Sequence, residues 1–215
     1  DTRVVEIPSE APEGGDLTVR RFGFRQSPGS IRLTAALADR PLIVTPEEPF
    51  LLPAREATTL FVSTPAWIQL SVGDGSTVFM DEASFRPSDT WFGPSTMEGE
   101  VCYASRTSAR LNLDNLPLGP HHAVTQMTIE NRADSQLLVE RLKLPVPYLA
   151  LFEASDGLLW TQAVTMTRSR DTALADFRIE QSPPERAGAV KRLGDPRQTT
   201  SVKTAVYAFG ALLRA

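Results

Sequence analysis

Apolar side chains recur at every second position through most of this chain, and that period constrains the fold more than any other feature. A two-residue repeat marks a strand with one covered face, whereas a helix repeats every 3.6 residues. In SIRLTAAL (30–37), Ile31, Leu33, Ala35 and Leu37 share one face and Arg32 and Thr34 the other. In WIQLSV (67–72), Ile68, Leu70 and Val72 alternate with Gln69 and Ser71, and Trp67 falls on the polar side. Asp74-Gly75 then supplies the residues of a tight hairpin, with Val78 and Met80 on the returning strand. AVTQMTIENRADSQLLVERLKL (123–144) reads as strand, polar turn at Asn131 to Ser135, and strand, stopped by Pro145 and Pro147. YLALFE, LLWTQAVTMT and TALADFRIE continue the pattern, with Trp160 on a core face.

Many short strands, punctuated by 17 prolines and 13 glycines and not interleaved with helices, predict an all-β protein: antiparallel sheets packed as a β-sandwich. With 215 residues the chain is long for one such body, so two sandwich-like halves are expected, 1–118 and 119–215. They meet near the Pro- and Gly-containing stretch at 116–122 or form one continuous body. The exception to the pattern is TTSVKTAVYAFGALLRA (199–215), where Val202, Ala205, Val206, Phe209, Leu212 and Leu213 fall at helical spacing behind a Thr or Ser cap. A C-terminal α-helix is expected there, plugging an open end of the sandwich or holding a homo-oligomer together. It is too short to span a bilayer.

The balance of charge excludes one class of partner. With 26 acidic against 22 basic residues, the chain lacks the excess of Lys and Arg that displaces counterions from phosphates, so nucleic acid is not expected to bind. A single cysteine excludes an internal disulfide and a cysteine-rich zinc site, and points to a cytoplasmic setting. The sequence begins at Asp1, which leaves export open.

Cys102 lies in GEVCYASRTSARLNL (99–113), shortly before the two histidines, His121 and His122, in LPLGPHH. Val101, Tyr103, Ala109, Leu111 and Leu113 keep one parity, read as the core face, with Glu100, Cys102, Ala104 and Arg106 opposite. A hydrolase using Cys102 with His121 or His122 needs a thiolate beside a cation and an imidazole in hydrogen-bond reach. No flanking signature supports it, and an inert strand cysteine is the expectation. Adjacent histidines in extended chain point apart, and the spacing of Asp74, Asp81, Glu82 and Asp89 fits no calcium loop, so neither a metal nor a cofactor is expected. Phosphate-cradling glycine loops, serine elbows and metalloprotease motifs are missing.

Aromatic placement suggests a surface instead. Trp67 points away from its strand's apolar face, while Trp91 and Phe92 lie in the loop PSDTWFGPST. Such rings stack on sugars or anchor a protein partner. Together with Arg106 they make the candidate recognition surface of a non-enzymatic binding module, for a protein or carbohydrate ligand. A structural subunit, oligomerising through the C-terminal helix, is a further reading.

EPFLLPAREATTLFVSTPAWIQL, GEVCYASRTSARL and ENRADSQLLVERLKLPVPYLALFE together resemble a family of prokaryotic proteins known only as an uncharacterised domain of unknown function, over roughly residues 40 to 180. The resemblance implies no activity. TIENRADSQLLVERLKL also looks like the strand, Asn-led turn and strand of immunoglobulin-like modules, which supports a sandwich and nothing finer.

Overall fold

A computed structural model describes residues 20–25, 29–73, 75, 77–106, 108–119, 121–199 and 206–210. Its strands are β1 (Ile31–Ala36), β2 (Leu42–Val44), β3 (Phe50–Leu52), β4 (Ala57–Pro65), β5 (Trp67–Val72), β6 (Thr77–Ala83), β7 (Ser88–Phe92), β8 (Glu100–Ala104) and β9 (His122–Asn131). There follow β10 (Leu137–Val139), β11 (Arg141–Leu144), β12 (Leu151–Ala154), β13 (Leu159–Thr161), β14 (Val164–Arg168), β15 (Leu174–Ile179), β16 (Val190–Gly194), β17 (Val206–Tyr207) and β18 (Phe209–Gly210). The fold is all-β. Among the described residues the helical elements are three-residue 3-10 turns at Leu113–Asn115, Val146–Tyr148 and Glu185–Ala187.

The sheets are mixed and curled. β9 is their spine: β4 runs antiparallel along one edge, from Ala57 opposite Glu130 to Pro65 opposite His122. This long ladder joins the two sides of the expected boundary at 118/119. Along the other edge β13 pairs with Ala123 and Val124 and β14 with Met127 to Asn131, both parallel to β9. Gln162 and Ala163 break that edge, so β12 and β16 extend the sheet from β13 while β15 and β17 extend it from β14. A second sheet runs β18-β11-β2-β8-β7, with β2 and β8 parallel. A third runs β1-β5-β6, and β3 and β10 form a ribbon. The three parallel pairings depart from the antiparallel expectation. Parallel neighbours need a long crossover, usually helical; here other strands fill it, as β10 to β12 do between β9 and β13.

One core draws on all four sheets: Leu60, Val62, Met127, Ile129 and Met166 from the largest, Leu42, Val44, Leu142 and Leu144 from the second, Ala36 and Trp67 from the third, and Leu52 and Leu137 from the ribbon. Each large aliphatic buried there contributes about 1.5–3 kcal/mol. A smaller cluster on the far face of the largest sheet holds Phe61, Leu116, Val124 and the expected core residue Trp160. Hydroxyls inside the sheet pair with one another, Thr161 donating to Thr125 at 2.8 Å.

The expected C-terminal helix is not what the described residues form. Val206–Tyr207 pairs with β15 and Phe209–Gly210 with β11, while the intervening Ala208 receives the Lys143 N–H at 3.0 Å. VYAFG satisfies a period of two as well as helical spacing, and β-branched and aromatic residues ending in glycine suit a strand that unpaired edges are ready to receive. The rest of 199–215, apart from Thr199, lies outside the described residues, as does Asp74 of the β5–β6 hairpin.

The third sheet is fastened by close backbone approach and by one arginine. A Cβ on Gly194 would lie 2.4 Å from the Ala35 carbonyl oxygen, so β16 meets β1 only because residue 194 has no side chain. Arg197 donates from Nε to the Leu37 carbonyl at 2.6 Å and from Nη2 to Asp81 at 2.8 Å, with Nη1 on the other Asp81 oxygen. Burial pulls the Asp81 carboxyl upward, but the hydrogen bonds from Arg197 and Gln69 and the Arg197 charge outweigh it and hold it below its ordinary value. Gly194→Ala should therefore destabilise the protein by about 1–3 kcal/mol, read as a lowered urea midpoint. Unchanged stability would mean that the two backbones do not touch.

Candidate functional site

Cys102 sits mid-strand on β8, opposite Thr90 of β7, and is fully buried in a small cluster with Ile43 and Phe92. Long polar side chains border this cluster. Lys143 pairs with Glu100 at 2.6 Å, and the Arg141 guanidinium lies 5.4 Å from the Phe92 ring centre while reaching Thr90 Oγ1 and the Trp91 carbonyl. Burial first, and then the Glu100 charge, push the thiol up to about 12 against the opposing pull of Lys143, Arg141 and Arg40. Its Sγ points to the Glu100 carbonyl at 3.8 Å. Burial and a raised pKa both lower the thiolate fraction on which nucleophilic attack and metal ligation depend. His121 occupies a left-handed turn (φ 62°) and His122 opens β9. Among the described residues no three His, Cys, Asp or Glu side chains gather as metal ligands.

Of the four residues expected to make a recognition surface, two are inside. Trp67 is 5% exposed and packs against Tyr103, ring centres 5.6 Å apart, while the Tyr103 hydroxyl donates to Asp39 at 2.9 Å. Phe92 is buried beside Cys102. The other two are outside and on different features. Trp91 is 41% exposed at the end of the β7–β8 hairpin, its indole N–H donating to the Ser95 carbonyl at 2.8 Å, with Val101 across the ladder and Met97 in the loop also exposed. Arg106 lies 4.1 Å over the Phe85 ring centre, at the mouth of a small recess lined by Leu42, Ser63, Pro65, Phe85, Pro87, Ser105 and His122. The four therefore do not form one aromatic platform.

The larger exposed apolar surface is on the third sheet, where the period was read correctly and the faces were inverted. The face carrying Trp67, Ser71 and Ala36 turns inward, and the face carrying Ile31, Leu33, Ile68 and Leu70 turns outward. Ile31 is 58% and Leu33 66% exposed, with Ile68 exposed beside them. Cross-ladder pairs Leu33 with Leu70, Ala35 with Ile68 and Leu70 with Met80 make the surface continuous over three strands. At the β6 edge Phe22 and Phe24 meet the Phe79 ring edge-on, centres 4.8 and 5.4 Å away, and Arg20 pairs with Glu82. One signal of the inversion was present in the sequence: Glu82 shares parity with Met80. On β8 both faces are covered in mid-strand: Tyr103, on the expected core face, and Cys102, on the other, are buried, while Val101 and, further on, Leu111 of the expected core face are exposed.

These features define an all-β chain with a buried thiol and an apolar outer sheet face; among its described residues no helix is long and apolar enough to cross a membrane. The chain belongs to the family described as "Protein of unknown function (DUF432)", whose family model matches residues 3–213. No curated protein and no solved structure matches it.

Proposed function

We propose that this chain is a non-enzymatic interaction module that takes a protein partner on the outer face of β1, β5 and β6. The observation that carries this reading is the aliphatic surface of Ile31, Leu33 and Ile68, with half-buried Leu70 and Met80 between them, left open on a sheet whose other face is packed. Contiguous apolar surface rimmed by charge, here the Arg20–Glu82 pair, is characteristic of protein contact sites. A partner offering an apolar helix or sheet face suits it; a sugar does not, because sugar recognition wants flat rings with free polar neighbours. Trp91 alone of the proposed aromatics is exposed, and its N–H is already engaged. The buried Cys102 weighs against a thiol hydrolase, and the pairing of 206–210 weighs against a C-terminal helix as an oligomer contact. The core shared by the two largest sheets supports a sandwich-like frame behind this surface.

Leu33→Glu with Ile68→Glu tests the reading, since both side chains are exposed and stability should stay within about 0.5 kcal/mol of wild type for each. A protein recovered in stoichiometric amount with the wild-type chain from its own cells should be lost with the double variant and kept with Trp91→Ser. The reverse pattern would move the contact to the hairpin end. An unchanged set of partners, or none with wild type, would end the proposal.

A further inference from the structure

The chain reaches the third sheet from its outer side. Glu82 of β6 lies directly opposite Ile68 of β5, and opposite residues share a face, so Glu82 stands on the same side as the exposed Ile31, Leu33 and Ile68. Arg20, the first described residue, pairs with Glu82 there. From that point the chain follows the β6 edge, since Phe22 and Phe24 both meet the Phe79 ring edge-on. Numbers rise from 20 to 24 while those of β6 fall from 82 to 79, so the two run antiparallel. Whatever precedes Arg20 is therefore delivered at the Ala83 end of β6, beside the open aliphatic face.

The nineteen residues before Arg20, DTRVVEIPSEAPEGGDLTV, carry two short runs of period two: Val5 and Ile7 about Glu6, and Leu17 and Val19 about Thr18. In extended chain each run has one apolar side for a sheet and one polar side for water. Gly14-Gly15 suits a reversal between the runs, and Pro8 and Pro12 keep either from being prolonged through the link. Reach is ample. Thirteen residues separate Ile7 from Arg20, up to about 43 Å of extended chain, whereas β6 and β1 are two strand spacings apart, about 10 Å. Charge is complementary as well: Asp1, Glu6, Glu10, Glu13 and Asp16 stand against a single Arg3 in the segment, and Arg21 and Arg25 are exposed along the β6 edge that it passes. The family match begins at residue 3, which makes the segment part of the shared domain.

We propose that residues 1–19 are the resting occupant of the outer face, with Val5 and Ile7 laid over β1 and β5, and that a protein partner binds by displacing them. The inference rests on the proposed function in taking this face as the contact surface. A tethered segment is favoured over a second copy of the chain, because the tether holds it at high effective concentration and spares the loss of translational freedom that association entails.

A nitroxide on Glu6→Cys, in the full chain carrying Cys102→Ala, tests the proposal through the broadening it causes in nearby methyl signals. Ile31, Leu33 and Ile68 should lose most of their intensity, while Leu111 and Leu138, exposed on other elements, keep theirs. Val5→Ser with Ile7→Ser should restore the lost signals, and unchanged methyls of the buried Met127 and Ile129 show that the fold is intact. The same double variant should bind the protein recovered with the wild-type chain severalfold more tightly, because the competitor is gone. The proposal is overturned if Ile31, Leu33 and Ile68 are not broadened, if broadening persists in the serine variant, or if both chains bind the partner equally well. It is also overturned if nitroxide-bearing chains broaden these methyls in isotope-labelled chains that carry none, which would make a second copy the occupant. Broadening as expected, with no partner recovered by either chain, upholds the cover and ends the interaction reading alone.

Discussion

Asn131→Ala should cost about 3–5 kcal/mol of folding stability, the range seen when a buried polar network loses one member and leaves the others unpaired. Asn131 is 1% exposed at the end of β9. Its Nδ2 donates to the carbonyls of Leu52 (3.1 Å), Pro53 (2.9 Å) and Ser135 (2.9 Å), two protons shared among three acceptors. Its Oδ1 accepts from Arg168 Nη1 at 3.1 Å, and the buried Arg168 also donates to the Thr172 and Ser135 carbonyls and to Ser135 Oγ. One side chain thus ties the β3–β4 link, the β9–β10 turn and the β14–β15 loop together. Removing it withdraws a donor from three carbonyls, of which that of Ser135 keeps its bond from Arg168, and takes an acceptor from a buried cation. Asn131→Asp separates the two roles: it keeps an acceptor for Arg168 but loses the donors, and so should not restore stability. A urea midpoint that falls at constant slope is the expected signature, and a loss under 1 kcal/mol would mean that water serves these groups in the folded protein. Asp171 belongs to the same network; hydrogen bonds from Ser135 hold its carboxyl below its ordinary value despite a slight opposing effect of burial, with Arg168 adding to the effect.

Native Cys102 should react with iodoacetamide about a thousandfold more slowly at pH 7 than a thiol of ordinary acidity, because each unit of upward displacement lowers the thiolate fraction tenfold. The displacement here is from 9.0 to about 12, and burial of the sulfur adds to it. Unfolding in urea should restore ordinary reactivity. The same displacement predicts a pH dependence of stability. Below pH 9 both states keep the proton and the contribution is fully present; between pH 9 and about 12 the unfolded chain ionises first, so stability is lost as pH rises through that window. Cys102→Ala should flatten this alkaline slope. Rapid labelling of the folded protein at neutral pH would instead restore the thiol hydrolase as the leading reading.

The period of two was legible almost everywhere, and so were the all-β class, the strand at 123–131 with its Asn131 turn, and Trp160 in a core. Which face turns inward was not. In WIQLSV both faces have an apolar claim, Trp67 on one and Ile68, Leu70 and Val72 on the other, and the choice falls to what packs behind the strand. Here the inward face meets Tyr103 and the core, which makes Trp67 structural and leaves the aliphatics outside. VYAFG was ambiguous for a similar reason, since its spacing satisfies two periods and only the partners at Leu142 and Leu174 decide between them. Arg106 and Trp91 are exposed, yet nothing local in LFVSTPAW marks Ser63, whose buried Oγ has no hydrogen bond among the described residues. Its isolation comes from the residue opposite, Val124, sixty-one positions away, and register over that distance is not written in either strand.

The strand at 206–210 also bears on how the protein is made. It hydrogen-bonds β15 in the largest sheet and β11 in the second, so both sheets keep a bare edge until translation has passed residue 210. Exposed edges recruit other chains. A nascent or truncated form ending before Val206 is therefore the species that a chaperone must shield, and the one that should clump at concentrations where the finished chain stays dispersed.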